Sequence, residues 1–301
     1  MINDRSIYFQ IPKVNHEGFF VQYDDLPHFY DQLHHHPELQ LVYIMEGSGD
    51  LFAGDRIIHF EGGDLFLIGS NQNHLFKSDQ EYYDEESNKH SKSISVFFNR
   101  KSLREGFFEL VETNTIKNLI ERSGRSIRFS GTVAHAIGPQ MLRLINRNDF
   151  NRFLEILSIL HRLGETADYE YLASVSWDNP PTYKESQKIN AIINFILNNY
   201  KRDIQLDEVA QVANYSKATF CRFFRQRTRK TFTRFLNEVM VANARRLLIK
   251  TDLNVSQICY ESGFNNVSNF NRQFKRITGL TPKAYLKKYE NSQDEMPQSS
   301  S

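Results

Sequence analysis

Two arginines 50 residues apart, Arg222 and Arg272, sit in aromatic-rich stretches of the same pattern, ATFCRFFRQRT at 218–228 and SNFNRQFKRIT at 268–278. The planar fork of an arginine can pair with the major-groove edge of guanine, and short polar side chains beside it can meet other base edges. The chemistry this pattern offers is recognition of a duplex. A second group of residues offers different chemistry. His34, His35 and His36 are consecutive and His74 follows further on. Three imidazoles can hold a transition metal in a site with an open position, or hydrogen-bond a small polar ligand. The two cysteines, Cys221 and Cys259, have no metal-ligating partner near them in sequence and read as reduced thiols.

The arginines need helices to aim them, and the chain repeats itself to supply two. An offset of 50 pairs Phe220 with Phe270, Arg222 with Arg272, Phe224 with Phe274, Arg225 with Lys275 and Thr228 with Thr278. Upstream the offset is 49, pairing Leu206 with Val255, Val209 with Ile258, Ala210 with Cys259 and Asn214 with Gly263, so the second copy has a turn one residue longer. Each copy predicts a short helix, a turn of three or four residues, and a second helix opened by a good capping residue, Ser216 or Asn266. At about 100° per residue, Phe220, Phe223 and Phe224 share one face of the first such helix, with Ala218, Arg222 and Arg225 opposite. In the second, Phe270, Phe274 and Ile277 face inward, and Ser268, Arg272 and Lys275 face outward. One outward arginine on an amphipathic helix is ordinarily just solvated. The same phase in two copies, each behind a short helix and a tight turn, points to helix-turn-helix units whose second helices enter major grooves.

On that reading Arg222 and Arg272 are the base readers. Ala218 and Cys221 are placed to touch a thymine methyl, Ser268, Asn269 and Asn271 to read polar edges, and Lys217, Arg225 and Lys275 to hold phosphates. Between the copies, apolar residues at helical spacing from about Thr233 to Lys250 predict a connecting helix of roughly 27 Å. Such a rod would hold the two reading helices near the ~34 Å that separates successive major-groove faces. Charge agrees with a polyanionic partner. Residues 1–183 carry 17 Lys and Arg against 26 Asp and Glu, residues 184–290 carry 20 against 8, and the last eleven carry none against 2. The near-neutral total of +1 thus conceals a strongly basic C-terminal third.

The N-terminal half reads differently. LQLVYIM, DLFA, RIIHF and LFLI are short β-rich runs separated by glycine-containing turns, and SISVFF adds another strand, predicting a meander that closes into a small sandwich or barrel. Ile116, Leu119 and Ile120 begin a helical pattern, and a helical hairpin is expected from about Ala134 to Leu163, broken at Asn148-Asp149. The Pro-Pro pair marks 174–183 as a linker, and the polar tail 291–301 is expected to be disordered. The expected organisation is therefore a sensing and dimerising domain over 1–173, the linker, a DNA-binding domain over 184–290, and the tail. No stretch approaches the length of apolar sequence that a membrane span needs, and none resembles a signal peptide, so the expected location is cytoplasmic.

Residues 204–288 resemble the DNA-binding domain of the AraC family of bacterial transcription regulators. The most specific stretch is ICYESGFNNVSNFNRQFKRITGLTPKAY at 258–285, with its Gly-Phe turn, Phe-x-x-x-Phe-Lys and Gly-x-x-Pro; Cys259 stands where alanine is usual, and Leu286 where arginine is common. Residues 28–98 resemble the cupins through His34-x-His36, Gly47, Gly63 and His74, whereas Gln40 occupies the carboxylate-ligand position and Gly69 and Asn71 replace the usual proline and glycine. The resemblance implies a cupin-like sensing half with a helical hairpin, joined to an all-α half of two helix-turn-helix motifs linked by a long helix. It also implies a homodimer seam on the hairpin, a small-molecule effector such as a sugar, double-stranded DNA as partner, and RNA polymerase as a further candidate partner. With the carboxylate missing, ferrous oxygenase chemistry is not expected, and neither a metal nor another cofactor is assigned. The leading reading of the histidines is a metal-free pocket in which His34, His36, Gln40, Tyr43 and His74 contact the ligand; the bland alternative has them capping strand ends. A metal-binding cupin enzyme with an appended basic domain, and an architectural DNA-bending protein, are the competing functions.

Overall fold

The computed structural model describes residues 18–54, 56–84, 86–103, 105–147, 149–173 and 183–287. The expected linker lies outside these residues except for Tyr183, and the expected disordered tail lies outside them entirely. The chain divides into two units after Asn190.

The first unit begins with seven strands, β1 (Phe19–Leu26), β2 (Leu39–Glu46), β3 (Gly49–Ala53), β4 (Arg56–Phe60), β5 (Leu65–Ile68), β6 (His74–Ser78) and β7 (Ser91–Phe98). Then come α1 (Asn114–Arg122), β8 (Ile127–Phe129), α2 (Gly131–Arg143), α3 (Phe150–Glu165) and β9 (Tyr169–Tyr171). One sheet has the order β1-β7-β2-β5-β8-β9 and the other β4-β3-β6, with every pairing antiparallel. The expected sandwich is present. Its strands are not laid down in simple sequential order, because β2 is hydrogen-bonded between β5 and β7.

Period-two alternation decides what each strand faces. Along β2, Leu39 and Leu41 pack into a core with α1, α2 and α3, while Val42 and Ile44 pack into a second core with the three-stranded sheet. The neighbouring β5 does the same, with Leu65 and Leu67 on the helical side and Phe66 and Ile68 between the sheets. Strands covered on both faces read as continuous apolar runs, which is why LFLI and LQLVYIM stood out. The turns need backbone that few residues adopt easily: Gly47 and Gly63 have φ of 118° and 98°, and Asn71, at a position where glycine is usual in cupins, has φ 56°. The predicted helical hairpin is α2 followed by α3, and Asp149, one of the two residues at the expected break, caps α3 by accepting from the Arg152 amide.

The boundary between the units falls within α4 (Tyr183–Asn199), whose Ile192, Ile193 and Ile196 are buried. Beyond it come α5 (Leu206–Val212), α6 (Lys217–Thr228), α7 (Phe232–Lys250), α8 (Val255–Glu261) and α9 (Val267–Thr278), and then a helical stretch over 282–287. The internal repeat holds at the level of backbone geometry. Asn214 and Gly263, paired by the sequence offset, both have positive φ, of 53° and 93°, and the residues ending α6 and α9, Arg229 and Gly279, are both left-handed. Thr228 and Thr278 each donate to the carbonyl four residues back, at 2.8 Å in both copies. Thr231 caps α7 and Thr281 caps the helical stretch over 282–287, accepting from the Arg234 and Ala284 amides respectively. The turn is residues 213–216 in the first copy and 262–266 in the second, one residue longer as expected.

Gly138 on α2 offers a test of the packing between this helix and β2. A methyl group there would lie 2.6 Å from Cζ and Oη of Tyr43, whereas one at Gly131, on the same helix, meets nothing within 4 Å. Gly138→Ala is expected to destabilise the protein by about 1–3 kcal/mol through overpacking, and Gly131→Ala to leave it unchanged or stabilise it by up to about 1 kcal/mol. Chemical unfolding of the full chain measures both, and equal midpoints for the two variants would contradict the packing described.

Candidate DNA-reading surface and ligand cavity

In α6 the inward side chains are Phe220, Phe223 and Phe224, all buried, and the exposed ones are Lys217, Ala218, Cys221, Arg222, Arg225 and Gln226. In α9, Phe270 and Phe274 are buried while Ser268, Arg272 and Lys275 are exposed and Asn269 and Asn271 are half-exposed. Every residue expected to face DNA therefore lies on the accessible side of its helix. The aromatic faces explain why. Phe224 meets Phe235 of α7 edge-on with ring centroids 5.4 Å apart, and Phe274 meets Tyr285 in the same manner at 5.6 Å.

The two surfaces differ in detail. Around α6, Cys221, Arg222, Arg225, Gln226 and Arg229 line an open concavity with Thr231 and Phe232, rich in guanidinium groups. Arg229 and Gln226 did not figure among the expected DNA contacts, although both continue the outward phase of Arg222 and Arg225. Lys217 is held by Asp207 of α5 at 2.7 Å, with both side chains exposed, an ion pair weak enough to exchange for a phosphate. On α9, Asn269 accepts from the Arg272 guanidinium at 2.9 Å and from Gln273 at 3.4 Å, so Arg272 is already oriented by its neighbour. Each recognition helix starts at the expected cap, with Ser216 accepting from the Thr219 amide and Asn266 from that of Asn269. Cys259 is buried in the core formed by α7, α8 and α9, as a small apolar residue would be, and both cysteines are free thiols.

In the first unit a cavity of about 250 Å³ opens between the sheets. Four of the five expected ligand residues meet there: His34, His36, Gln40 and His74. Tyr43 does not. It lies an odd number of residues from Gln40, hence on the opposite face of β2, where its ring packs against Gly138 and the helical core. The cavity also gathers residues that the sequence pattern did not single out: Gln22 and Asp24 from β1, and Ser93, Ser95 and Phe97 from β7. In the run SKSISVFF, Ser93 and Ser95 alternate with Ile94, Val96 and Phe98 that enter the helical core, which sets the face they occupy but not the strand they meet.

His34 and His74 are bridged by a pair of main-chain hydrogen bonds at 3.1 and 2.9 Å, and their rings lie 4.2 Å apart. The ring of His36 lies 5.0 Å from that of His74. The Nδ1 atoms of His34, His36 and His74 lie 2.8, 3.0 and 2.9 Å from the carbonyls of Gln32, Glu38 and Gln72. Gln40 links two of the histidines to β7, with Oε1 3.1 Å from His74 Nε2 and 3.4 Å from His36 Nε2, and with its amide nitrogen donating to Ser95 Oγ at 2.9 Å. Removal from water pushes the His34 imidazole down to about 3, and the neighbouring His36 adds to it. Burial likewise lowers His36, and it lowers His74 well below the usual value with help from His34 and His36. The histidines of the cavity are consequently neutral at pH 7. Asp24 is raised by burial against the opposing hydrogen bonds from Gln22 and Ser93. Three potential ligand nitrogens of His34, His36 and His74 lie within 4.8 Å of one another, so the arrangement is also one that can hold a metal ion.

Among the described residues no helix is long and apolar enough to cross a membrane. A model described as a helix-turn-helix domain matches residues 209–288, and one described as an AraC-like ligand binding domain matches residues 16–85. An uncharacterized HTH-type transcriptional regulator of Staphylococcus aureus strain N315 is 22% identical over 264 residues, covering 82% of this chain and 31% of that protein. The chain thus spans about a third of the length of these staphylococcal relatives. The HTH-type transcriptional activator RhaS of Pectobacterium carotovorum is 21% identical over 271 residues, covering 83% of this chain and 86% of RhaS. Among solved structures, ToxT from Vibrio cholerae with bound unsaturated fatty acid is similar at 15% identity and a TM-score of 0.34, covering 91% of this chain and 97% of that one. An AraC-like ligand binding domain model thus matches one end of the chain and a helix-turn-helix domain model the other, the pair of domains that the resemblance to the AraC regulators implies.

Proposed function

We propose that the chain is a sequence-specific DNA-binding transcription regulator whose activity responds to a small polar metabolite, such as a sugar, held in the N-terminal cavity. The observation that carries this reading is the paired surface of α6 and α9, on which arginines at equivalent positions are exposed while the aromatic faces of both helices are buried. The connecting helix α7 has 19 residues, a rod of about 28 Å, suited to presenting two helices to successive major-groove faces. The likeness to RhaS supports the same reading and favours activation as the output. The cavity is small and lined by both amide and hydroxyl groups and by aromatic rings, a combination suited to a compact hydroxylated molecule. Leu142, Ile145, Phe150 and Leu154, exposed on or beside the α2–α3 hairpin, support pairing of two copies through that face.

Arg222→Ala and Arg272→Ala are each expected to weaken binding to a specific operator by about 1–3 kcal/mol and to relax the base preference at its own half-site. Competition binding against random duplex measures this, and an equal loss on random DNA would assign both arginines to phosphate contact instead. For the cavity, Val42→Trp fills the space between the sheets and is expected to abolish the response to effector while basal operator affinity stays within about twofold of wild type; an unimpaired effector response would place the sensing site elsewhere. Replacing Phe150 and Leu154 with glutamate is expected to convert a dimer to a monomer in sedimentation velocity, and an unchanged sedimentation coefficient would remove the hairpin from the interface.

A further inference from the structure

We propose that the effector held in the sensing cavity carries a protonated amine bound by the carboxylate of Asp24, so that the cavity takes an amino sugar or amino alcohol in preference to a neutral or anionic sugar. The proposal rests on the reading that this cavity is the sensor site, and narrows its occupant by charge.

The charges of the lining carry the inference. Among the described residues that line the cavity there is no lysine and no arginine. Its three histidines are held neutral at pH 7 by burial, and Tyr30 keeps its proton because burial and the nearby Asp31 raise it. Asp24 is therefore the one lining group that can hold a full charge at that pH. Its hydrogen bonds come from neutral donors, the Gln22 amide at 2.7 Å to Oδ1 and the Ser93 hydroxyl at 3.4 Å to Oδ2. An ionised carboxylate has about four acceptor positions, so positions remain for a ligand. Burial raises the Asp24 carboxyl against those two bonds, the direction expected of a carboxylate without a cation beside it. The basic groups nearest to Ser93 in sequence are engaged elsewhere. Lys92 is one residue from Ser93, hence on the opposite face of the strand, and pairs with Glu46 at 3.0 Å. His90 pairs with Asp25 at 2.6 Å.

Placement agrees with a ligand that has two kinds of end. In the sheet Asp24 pairs with Ser93 and Ser93 with Ile44, whereas Gln40 pairs with Phe97. Asp24 and Gln40 are thus two strands apart and four positions apart along them, roughly 13 Å in the strand direction. The cavity has a charged end at Asp24 and an uncharged end at His36, Gln40 and His74, with the apolar Val42 in the row between. Phe29, Tyr30, Phe76 and Phe97 add aromatic rings, whose negative faces attract an ammonium and repel a carboxylate. Asp24 is half-buried, so its carboxylate is partly withdrawn from water yet reachable. An anion placed here would lose hydration and meet no cation in return, whereas an ammonium at Asp24 restores the charge balance of the site. Hydroxyl groups on the same molecule can pair with the uncharged end.

A neutral sugar also donates hydroxyls to carboxylates, so the test varies charge and little else. D-Glucosamine, D-glucose and D-glucuronate share a ring and are positive, neutral and negative at neutral pH. Calorimetric titration of the full chain is expected to show glucosamine binding roughly 10–100-fold more tightly than glucose, the worth of a hydrogen bond that gains a charge, with glucuronate weakest. Asp24→Asn is expected to remove the preference and Asp24→Glu to keep it, the melting temperature of each sugar-free variant reporting that it has folded. A metabolite extract separated by ion exchange into cationic, neutral and anionic fractions extends the test to molecules of other shapes. The cationic fraction alone is expected to alter operator affinity. Equal affinity for glucosamine and glucose, or a preference for glucosamine that survives Asp24→Asn, would overturn the proposal. So would a response confined to the neutral or anionic fraction, which leaves the sensor reading intact. No response to any fraction would fail the sensor reading itself, while retained operator binding leaves the DNA-binding assignment standing.

Discussion

Phe220 and Phe224 are fully buried one turn apart on α6, their rings 5.4 Å from each other, and Phe224 lies against Phe235 of α7. That packing fixes the direction of every other side chain on the helix, because a helix with one face pinned cannot rotate without exposing aromatic surface. At about 25 cal/mol per Å² of apolar area, and with roughly 150–250 Å² on each aromatic side chain, exposing even one ring costs several times thermal energy. Arg222 and Arg225 point outward as a consequence of what the phenylalanines hide. The second copy obeys the same constraint through Phe270 and Phe274.

A strand imposes the same choice with only two directions available. On β2 the helical core claims Leu39, Leu41 and Tyr43, which leaves Gln40, Val42 and Ile44 to the space between the sheets. Gln40 is the polar member of an otherwise apolar row, and it lies where His36, His74 and Ser95 converge. Even a half-buried amide is retained at a cost in desolvation unless its partners are in place. The group is therefore organised by β2, the strand that carries Gln40.

These two periods explain what the sequence made legible. The helix-turn-helix repeat could be read nearly to the residue, since a 50-residue self-match, a one-residue difference in turn length and the phase of the aromatics are all local properties. Asn214 and Gly263, which that self-match pairs, also share a positive φ. Tyr43 was misplaced although the strand period argues against it: three residues from Gln40 is an odd step, so the two cannot share a face. Asp24, Ser93 and Ser95 were missed for a different reason. They belong to β1 and β7, which the sheet brings beside β2 through pairings such as Asp24 with Ser93 and Val42 with Ser95, and such long-range register is invisible in a single chain's spacing. The strands β8 and β9 are three residues each, too short to carry a periodic signal.

The two recognition helices share a scaffold and differ in what they present. On α9, Asn269 is bonded to Arg272 before any DNA arrives, and Ser268 and Asn271 flank them. An arginine held by a neighbour loses less side-chain freedom on pairing with a base, so more of its interaction energy is available for discrimination. On α6, Ala218 and Cys221 replace those polar groups, and three guanidinium groups, of Arg222, Arg225 and Arg229, line one concavity. Such a surface gains most of its affinity from phosphates and counterion release and reads fewer bases. Under the proposed function, two such surfaces joined by a single helix in a fixed order would favour a target that is asymmetric within one chain, with a strongly specified element facing α9 and a more tolerant one facing α6.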